Sequence, residues 1–201
     1  MNLLIIRHGQ SEADILNVIE GRANYELTDE GKNQAQLMAT WVAENFNVNK
    51  IFASPLKRTT QTAQYLSQKI GISVQFEDDL MEWQNGLLAG LPREEAQIRY
   101  PAPPIKYPHT AMYECESMIQ FRARAENILS KIINENQPDD TIAVVSHGGM
   151  INMLFRSFLQ LLINDNIFLS TGDTGIHKWS TENNNRRINF SNSQIHLNCS
   201  K

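Results

Sequence analysis

The stretch Leu3-Leu4-Ile5-Ile6-Arg7-His8-Gly9-Gln10-Ser11 opens the chain and decides the reading of its fold. Four consecutive apolar residues leave no polar face, so the segment reads as a strand covered on both sides, as in a parallel sheet flanked by helices. The abrupt change to charged residues and glycine marks the strand's carboxyl end, where parallel α/β sheets bind their ligands. Ile51-Phe52-Ala53, Val74-Gln75-Phe76 and Ile142-Ala143-Val144-Val145 read the same way. Helical periods lie between them. Asp29 to Phe46 places Ala35, Met38, Val42 and Phe46 on one face, and Lys57 to Ile70 follows a turn at Ser54-Pro55. Ser117-Met118-Ile119-Gln120 has the capping-box pattern and opens a helix striped by Phe121, Ala125, Ile128 and Ile132. Gly148 to Leu162 is apolar nearly all round and is expected to be a deeply packed helix. This alternation predicts a three-layer α/β/α fold with a mostly parallel central sheet, as a single domain over residues 1–201.

Two regions break the rhythm. Residues 83–115 hold Gly86, Gly90 and five of the seven prolines, with little periodicity, and are expected to form a small cap insertion. Near the end, Ile176-His177-Lys178-Trp179 and Ile188-Asn189-Phe190 flank the polar run Glu182-Asn183-Asn184-Asn185-Arg186, a hairpin pattern.

Composition narrows the function. The chain has 201 residues, 41% of them hydrophobic, and a net charge of −4, which disfavours a general nucleic-acid binder. Cys115 and Cys199 stand far apart in no metal-like spacing and read as free thiols of a reducing compartment. The segment Met1 to Arg7 becomes charged too soon for a signal peptide. The apolar stretch Met150 to Ile163 is interrupted by Arg156 and falls short of the ~20 residues that cross a bilayer. A cytoplasmic protein without membrane attachment is expected.

The residues just past the end of each strand carry the chemistry. Arg7-His8-Gly9-Gln10-Ser11, Ser54-Pro55-Leu56-Lys57-Arg58, Asp78-Asp79-Leu80-Met81-Glu82 and Ser146-His147-Gly148-Gly149 all fall at one edge of the predicted sheet. Two guanidinium forks suit a phosphate dianion, and a helix starting at Gly148 would aim N–H groups at an anion. An imidazole can attack phosphorus, and a carboxylic acid can protonate the leaving oxygen. No acidic cluster of the Mg²⁺-binding kind accompanies them, so a metal-free mechanism fits better.

In this order and spacing the chain resembles the histidine phosphatase superfamily, the phosphoglycerate mutase-like proteins. The resemblance rests on Arg7-His8-Gly9, Leu27-Thr28-x-x-Gly31 with Ala35, Ser54-Pro55-Leu56-x-Arg58 with Thr62-Ala63, Glu82-x-x-x-Gly86-x-x-x-Gly90, Glu116-Ser117 with Phe121 and Arg124, and Ser146-His147-Gly148-Gly149. It implies His8 as nucleophile, Arg7, Arg58 and His147 as the phosphoryl pocket, and Glu82 as proton donor and then base. Gly9, Gly21 and Gly148 border that pocket. Two positions depart from the family: Asp14 stands where asparagine is common, and Glu20 where a small residue or glutamine is usual. We expect one of these carboxylates to buttress an arginine such as Arg22 at the rim. Glu77, Asp78 and Asp79 compete with Glu82 for the acid role. His109, His177 and His196 read as structural or exposed, with His177 nearest the pocket. Trp83, Tyr100, Tyr107 and Tyr113 are candidates to line the substrate cavity.

The resemblance favours the phosphatase branch: a metal-independent, cofactor-free phosphomonoesterase of the histidine acid phosphatase type, acting on a small phosphorylated metabolite. A mutase would carry a longer insertion with an arginine pair, and residues 83–116 hold only Arg93 and Arg99, well separated. A non-catalytic phosphate-binding domain is the alternative from a different class. Dimers are common among such domains, and a homodimer is compatible with the chain.

Overall fold

The computed structural model describes residues 1–163, 165–183 and 185–198. In chain order the elements are β1 (Asn2–Arg7), α1 (Glu12–Leu16), α2 (Asp29–Asn45), β2 (Lys50–Ala53), α3 (Lys57–Ile70), β3 (Val74–Phe76), α4 (Arg93–Arg99), α5 (Met118–Asn134), β4 (Thr141–Ser146), α6 (Gly148–Phe158), β5 (Ile176–Glu182) and β6 (Asn185–Ser193). The sheet order is β3-β2-β4-β1-β5-β6. The first four strands are parallel, and β5 and β6 extend the sheet antiparallel to β1 and to each other. The fold is therefore mixed α/β with a mostly parallel core, as the strand pattern predicts.

The double-sided burial read from β1 has its counterpart in two apolar layers. Leu3, Ile5, Phe52, Ile142 and Val144 pack against α5 and α6 on one face of the sheet. Their chain neighbours Leu4, Ile6, Ile51, Ala143 and Val145 pack against α2 and α3 on the other, because alternate strand residues point to opposite faces. Each large buried side chain contributes roughly 1.5–3 kcal/mol. Trp179 closes the first layer, stacked on Phe158 with ring centroids 5.2 Å apart. The capping box at Ser117 forms as expected, Ser117 Oγ accepting from Gln120 N at 3.2 Å and Gln120 Oε1 from Ser117 N at 2.7 Å. Among the described residues no helix is long and apolar enough to cross a membrane.

Two expectations need correction. The helix from Gly148 stops at Phe158 rather than Leu162. Arg156, which looked like an interruption of an apolar run, is buried, and its guanidinium donates to the carbonyls of Ile163, Asp165 and Ile167. These bonds, with Asn152 donating to Leu169 O at 2.9 Å, hold the outgoing loop across the helix, so the apolar tail folds back. The segment 83–115, which shows little periodicity, nevertheless contains the short helix α4. Only one of its side chains, Ala96, is buried, so seven residues leave no readable stripe. Cys115 is a free thiol. Cys199 lies outside the described residues.

Candidate active site

The site grows from the pairing of β1 with β4. Arg7 is in register with Ser146, so His8 and His147 leave adjacent central strands side by side, ring centroids 5.2 Å apart. Both are fully buried, His8 being 1% exposed. Gly9 is required by packing: a Cβ there would stand 2.5 Å from the Gly31 carbonyl oxygen, too close for any side chain. Its N–H donates to Thr62 Oγ1 at 3.1 Å. Its carbonyl lies 2.7 Å from His8 Nδ1. A carbonyl can only accept, so Nδ1 carries the ring proton and Nε2 presents its lone pair.

The same bookkeeping fixes the second imidazole. Ser54 Oγ accepts from Leu56 N at 3.3 Å and lies 2.9 Å from His147 Nε2; its proton finds no other acceptor among the described residues, so the arrangement with fewest orphaned groups donates it to that nitrogen. His147 Nδ1 then carries the proton, and it is buried with no hydrogen-bond partner among the described residues. An orphaned buried donor is costly, on the order of 1–3 kcal/mol, unless a ligand meets it. Burial first, then the charges of Arg58 and Arg7, holds the His8 pKa well below the ordinary imidazole value. Burial and Arg58 do the same to His147. Both rings stay neutral.

Two guanidinium groups flank the rings. Arg58, at the start of α3, is fully buried and donates to Gly21 O at 2.8 Å and Ala23 O at 3.0 Å. Arg7 donates to Thr171 O at 2.9 Å and lies 3.6 Å from Asp14 and 3.4 Å from Asp173. Glu20 sits between Arg58 and His8, its Oε2 3.2 Å from Arg58 Nε and 3.8 Å from His8 Nε2. Ser11 Oγ donates to its other oxygen at 2.6 Å. Burial pushes the Glu20 carboxyl pKa up, against the opposing pull of Arg58. Both unusual carboxylates thus brace arginines, but not the one expected. Asp14 serves Arg7 while capping α1 through Ser11 N at 2.9 Å, and Glu20 serves Arg58. Arg22 instead binds Glu116 at 3.7 Å and the Glu82 carbonyl at 3.3 Å.

Glu82 faces α6. Its Oε2 accepts from Gly149 N at 2.8 Å and its Oε1 from Trp83 N at 2.7 Å. A side chain at Gly149 would collide with this carboxylate. One of the N–H groups at the start of α6, expected to aim at an anion, is therefore taken by the Glu82 carboxylate. Gly148 borders the arginine, with its Cβ position 4.0 Å from Arg7 Nε. Arg124 clamps the Glu82 backbone from behind, donating to its carbonyl at 3.1 Å, to Met81 O at 2.9 Å and to Asp79 O at 2.8 Å. The competitor Glu77 is instead paired with Lys131 at 2.6 Å.

Sequence reasoning missed Thr171 and Asp173, which anchor Arg7 from the loop before β5. The run Thr171-Gly172-Asp173-Thr174-Gly175 is a turn signal that also feeds the sheet edge, and it could have been found there. His177 belongs to this platform, its Nε2 2.9 Å from Thr171 Oγ1. Among the described residues no group of three or more His, Cys, Asp or Glu side chains is placed to hold a metal ion.

Two buried neutral imidazoles, two arginines and a carboxylate on one edge of an α/β sheet define a phosphoryl-handling class of protein. The histidine phosphatase superfamily (branch 1) matches residues 3–194, and the chain belongs to it. Phosphoserine phosphatase 1 of Hydrogenobacter thermophilus is 28% identical over 163 residues, 79% of this chain and 76% of the relative. Phosphoglycerate mutase-like protein 4 of Arabidopsis thaliana is 30% identical over 160 residues, 77% of this chain and 69% of the relative. A mycobacterial glucosyl-3-phosphoglycerate phosphatase has the same fold, with a TM-score of 0.84 at 24% identity over 96% of this chain and 98% of its own. The named relatives are thus phosphatases and phosphoglycerate mutase-like proteins, which supports a phosphatase.

Proposed function

We propose that the chain is a phosphomonoester hydrolase working through a phosphohistidine, with no metal in the reaction. The observation that carries this reading is the tautomer of His8: its Nδ1 proton is given to Gly9 O, so Nε2 is a neutral, buried nucleophile. Nε2 attacks phosphorus as the P–O ester bond breaks, and Glu82 passes its proton to the departing oxygen. Water then attacks the phosphohistidine while Glu82 takes back a proton, the P–N bond breaks, and inorganic phosphate is left. Charge on the transferring oxygens is met by Arg7, Arg58 and the orphaned His147 Nδ1–H, donors already fixed before substrate arrives. Gly9, Gly21 and Gly148 shape the pocket, and Asp14 and Glu20 set its charge.

Hydrolysis is favoured over returning the group to a sugar acid. Arg99, one of the two cap arginines, is paired with Glu95 at 2.7 Å and lies over the Tyr100 ring, so it does not stand ready for a substrate carboxylate. A panel of phosphorylated metabolites in EDTA, with His8→Ala as blank, tests the proposal. Phosphate release and an acid-labile phosphoryl label on the wild-type chain are expected, with neither in the variant. Hydrolysis retained by His8→Ala, or activity abolished by EDTA, would overturn it.

A further inference from the structure

The cap carries a half-open cleft of about 350 Å³, within the ~300–1,000 Å³ range of small-molecule sites. Its walls are mostly apolar, with Trp83, Leu88, Tyr100 and Met112 prominent among them. We infer that the leaving group of the substrate is an apolar, ring-bearing alcohol, seated in this cavity between Trp83, Leu88, Tyr100 and Met112. The inference rests on the phosphomonoesterase reading and adds the substrate class to it.

Position argues for it first. The alcohol departs on the side of the acid that protonates it, and the residue that follows that acid in the chain, Trp83, lines the cavity. Trp83, in its wall, donates its backbone N–H to Glu82 Oε1, and Ile19, also in the wall, precedes Glu20. Asn85 lines the cavity while its side chain fills the space beside Gly21, whose carbonyl holds Arg58. Glu116, at another wall, fixes Arg124 at 2.7 Å and so the clamp on Glu82. The cap is also sewn to the catalytic segment, Gly90 N donating to Ile19 O at 2.7 Å and Ile19 N to Leu91 O at 2.8 Å.

Chemistry argues for it second. A leaving group bearing a carboxylate needs a cation, and the wall offers Lys106, which lies over the Trp83 ring at 5.4 Å, while Glu116 in the same wall opposes a second carboxylate. The arginines nearby are paired, Arg99 with Glu95 and Arg22 with Glu116. What remains is aromatic: Trp83 is set edge-on against Phe121, with centroids at 4.9 Å, and Tyr100 lies 5.1 Å from Tyr113. Such walls bury a ring and reward its apolar area.

Alkyl phosphates all leave as unactivated alcohols, which avoids the intrinsic reactivity of aryl esters. For 2-phenylethyl phosphate and 2-cyclohexylethyl phosphate, kcat/KM is expected to be roughly 10–100-fold above that for glycerol 2-phosphate and phosphoserine. Met112→Trp, which fills the cavity from one wall, should collapse that ratio toward one, chiefly through KM of the ring esters. Gln97→Trp repeats the test from another wall should the first variant fold poorly. Equal or faster hydrolysis of the two small polar esters overturns the inference and leaves the phosphatase reading standing. So does a ratio unmoved by both variants. Inertness toward all four esters would bring down both.

Discussion

Replacing Glu20 with glutamine tests the electrostatics of the site most directly. A carboxylate oxygen 3.8 Å from His8 Nε2 stands where the proposed mechanism brings the negative charge of a phosphoryl group. At an effective dielectric near 20, a unit charge at that distance opposes each arriving charge by about 4 kcal/mol. Arg58 and Arg7 cancel much of this, and Glu20, with its side chain 17% exposed, can turn outward. About a third to two-thirds of one such interaction surviving would amount to roughly 1.4–2.8 kcal/mol, or 10–100-fold in affinity. Glu20→Gln should therefore bind inorganic phosphate 10–100-fold more tightly than the wild type at neutral pH. Isothermal titration of the free protein reads this without turnover. Burial holds the Glu20 carboxyl above its ordinary pKa, so acidification removes the opposing charge from the wild type while the variant has none to lose. The affinity ratio must then shrink toward one as pH falls; ionisation of phosphate itself is common to both proteins and cancels. Weaker phosphate binding by Glu20→Gln, or a ratio indifferent to pH, would show that Glu20 serves the pocket only by holding Arg58.

Four further outcomes follow from the geometry. Gly149→Ala should displace the Glu82 carboxylate and lower kcat on alkyl esters by about 10²–10⁴-fold. It should lower kcat far less on p-nitrophenyl phosphate, which needs no proton to depart; equal losses on both would remove Glu82 from the acid role. Because the His8 pKa is lowered, the acid limb of kcat/KM should fall below the ordinary imidazole value of ~6.5, and a limb centred at or above it would contradict a buried neutral nucleophile. Asp14→Asn keeps the shape of the α1 cap and removes one charge beside Arg7, so a change confined to a few-fold in KM is expected, and loss of turnover would contradict this. His177 and His196 are buried, with their pKa values lowered to about 4. The unfolded chain therefore binds more protons between pH ~6.5 and about 4, and stability should decline as pH falls through that window, by at most about 3 kcal/mol for each histidine. Thermal melts check this: His196→Gln should flatten the slope, and an unchanged slope would mean that the ring is protonated within the fold.

Elements with a strong local signal were legible in the sequence. The four apolar runs all became strands, because double-sided burial leaves only one kind of pattern. Ser117 and Gln120 announced a helix start through groups that bond each other. The gathering of His8, Arg58, Glu82 and His147 at one edge was also readable, since each comes after a strand of the same parallel sheet. What escaped were relations with no sequence period. Asp14 and Glu20 were recognisable as out of place, but the choice of Arg7 and Arg58 over Arg22 depends on how α1 and its following loop fold back. Arg156 looked like a flaw in an apolar helix until its guanidinium met three carbonyls of the next loop. Helix α4 left no trace because a two-turn element with one buried residue has no stripe to read.

The partner that orients the His8 ring is the main chain of its own neighbour. Where a side-chain carboxylate does that task, a single codon change removes it; here every possible replacement at position 9 would still bring an amide oxygen. The vulnerability is displaced onto the room around that peptide, where the Gly31 carbonyl tolerates nothing larger than hydrogen. Mutational loss of ring alignment should therefore arise through crowding at positions 9 and 31, never through deletion of the acceptor itself.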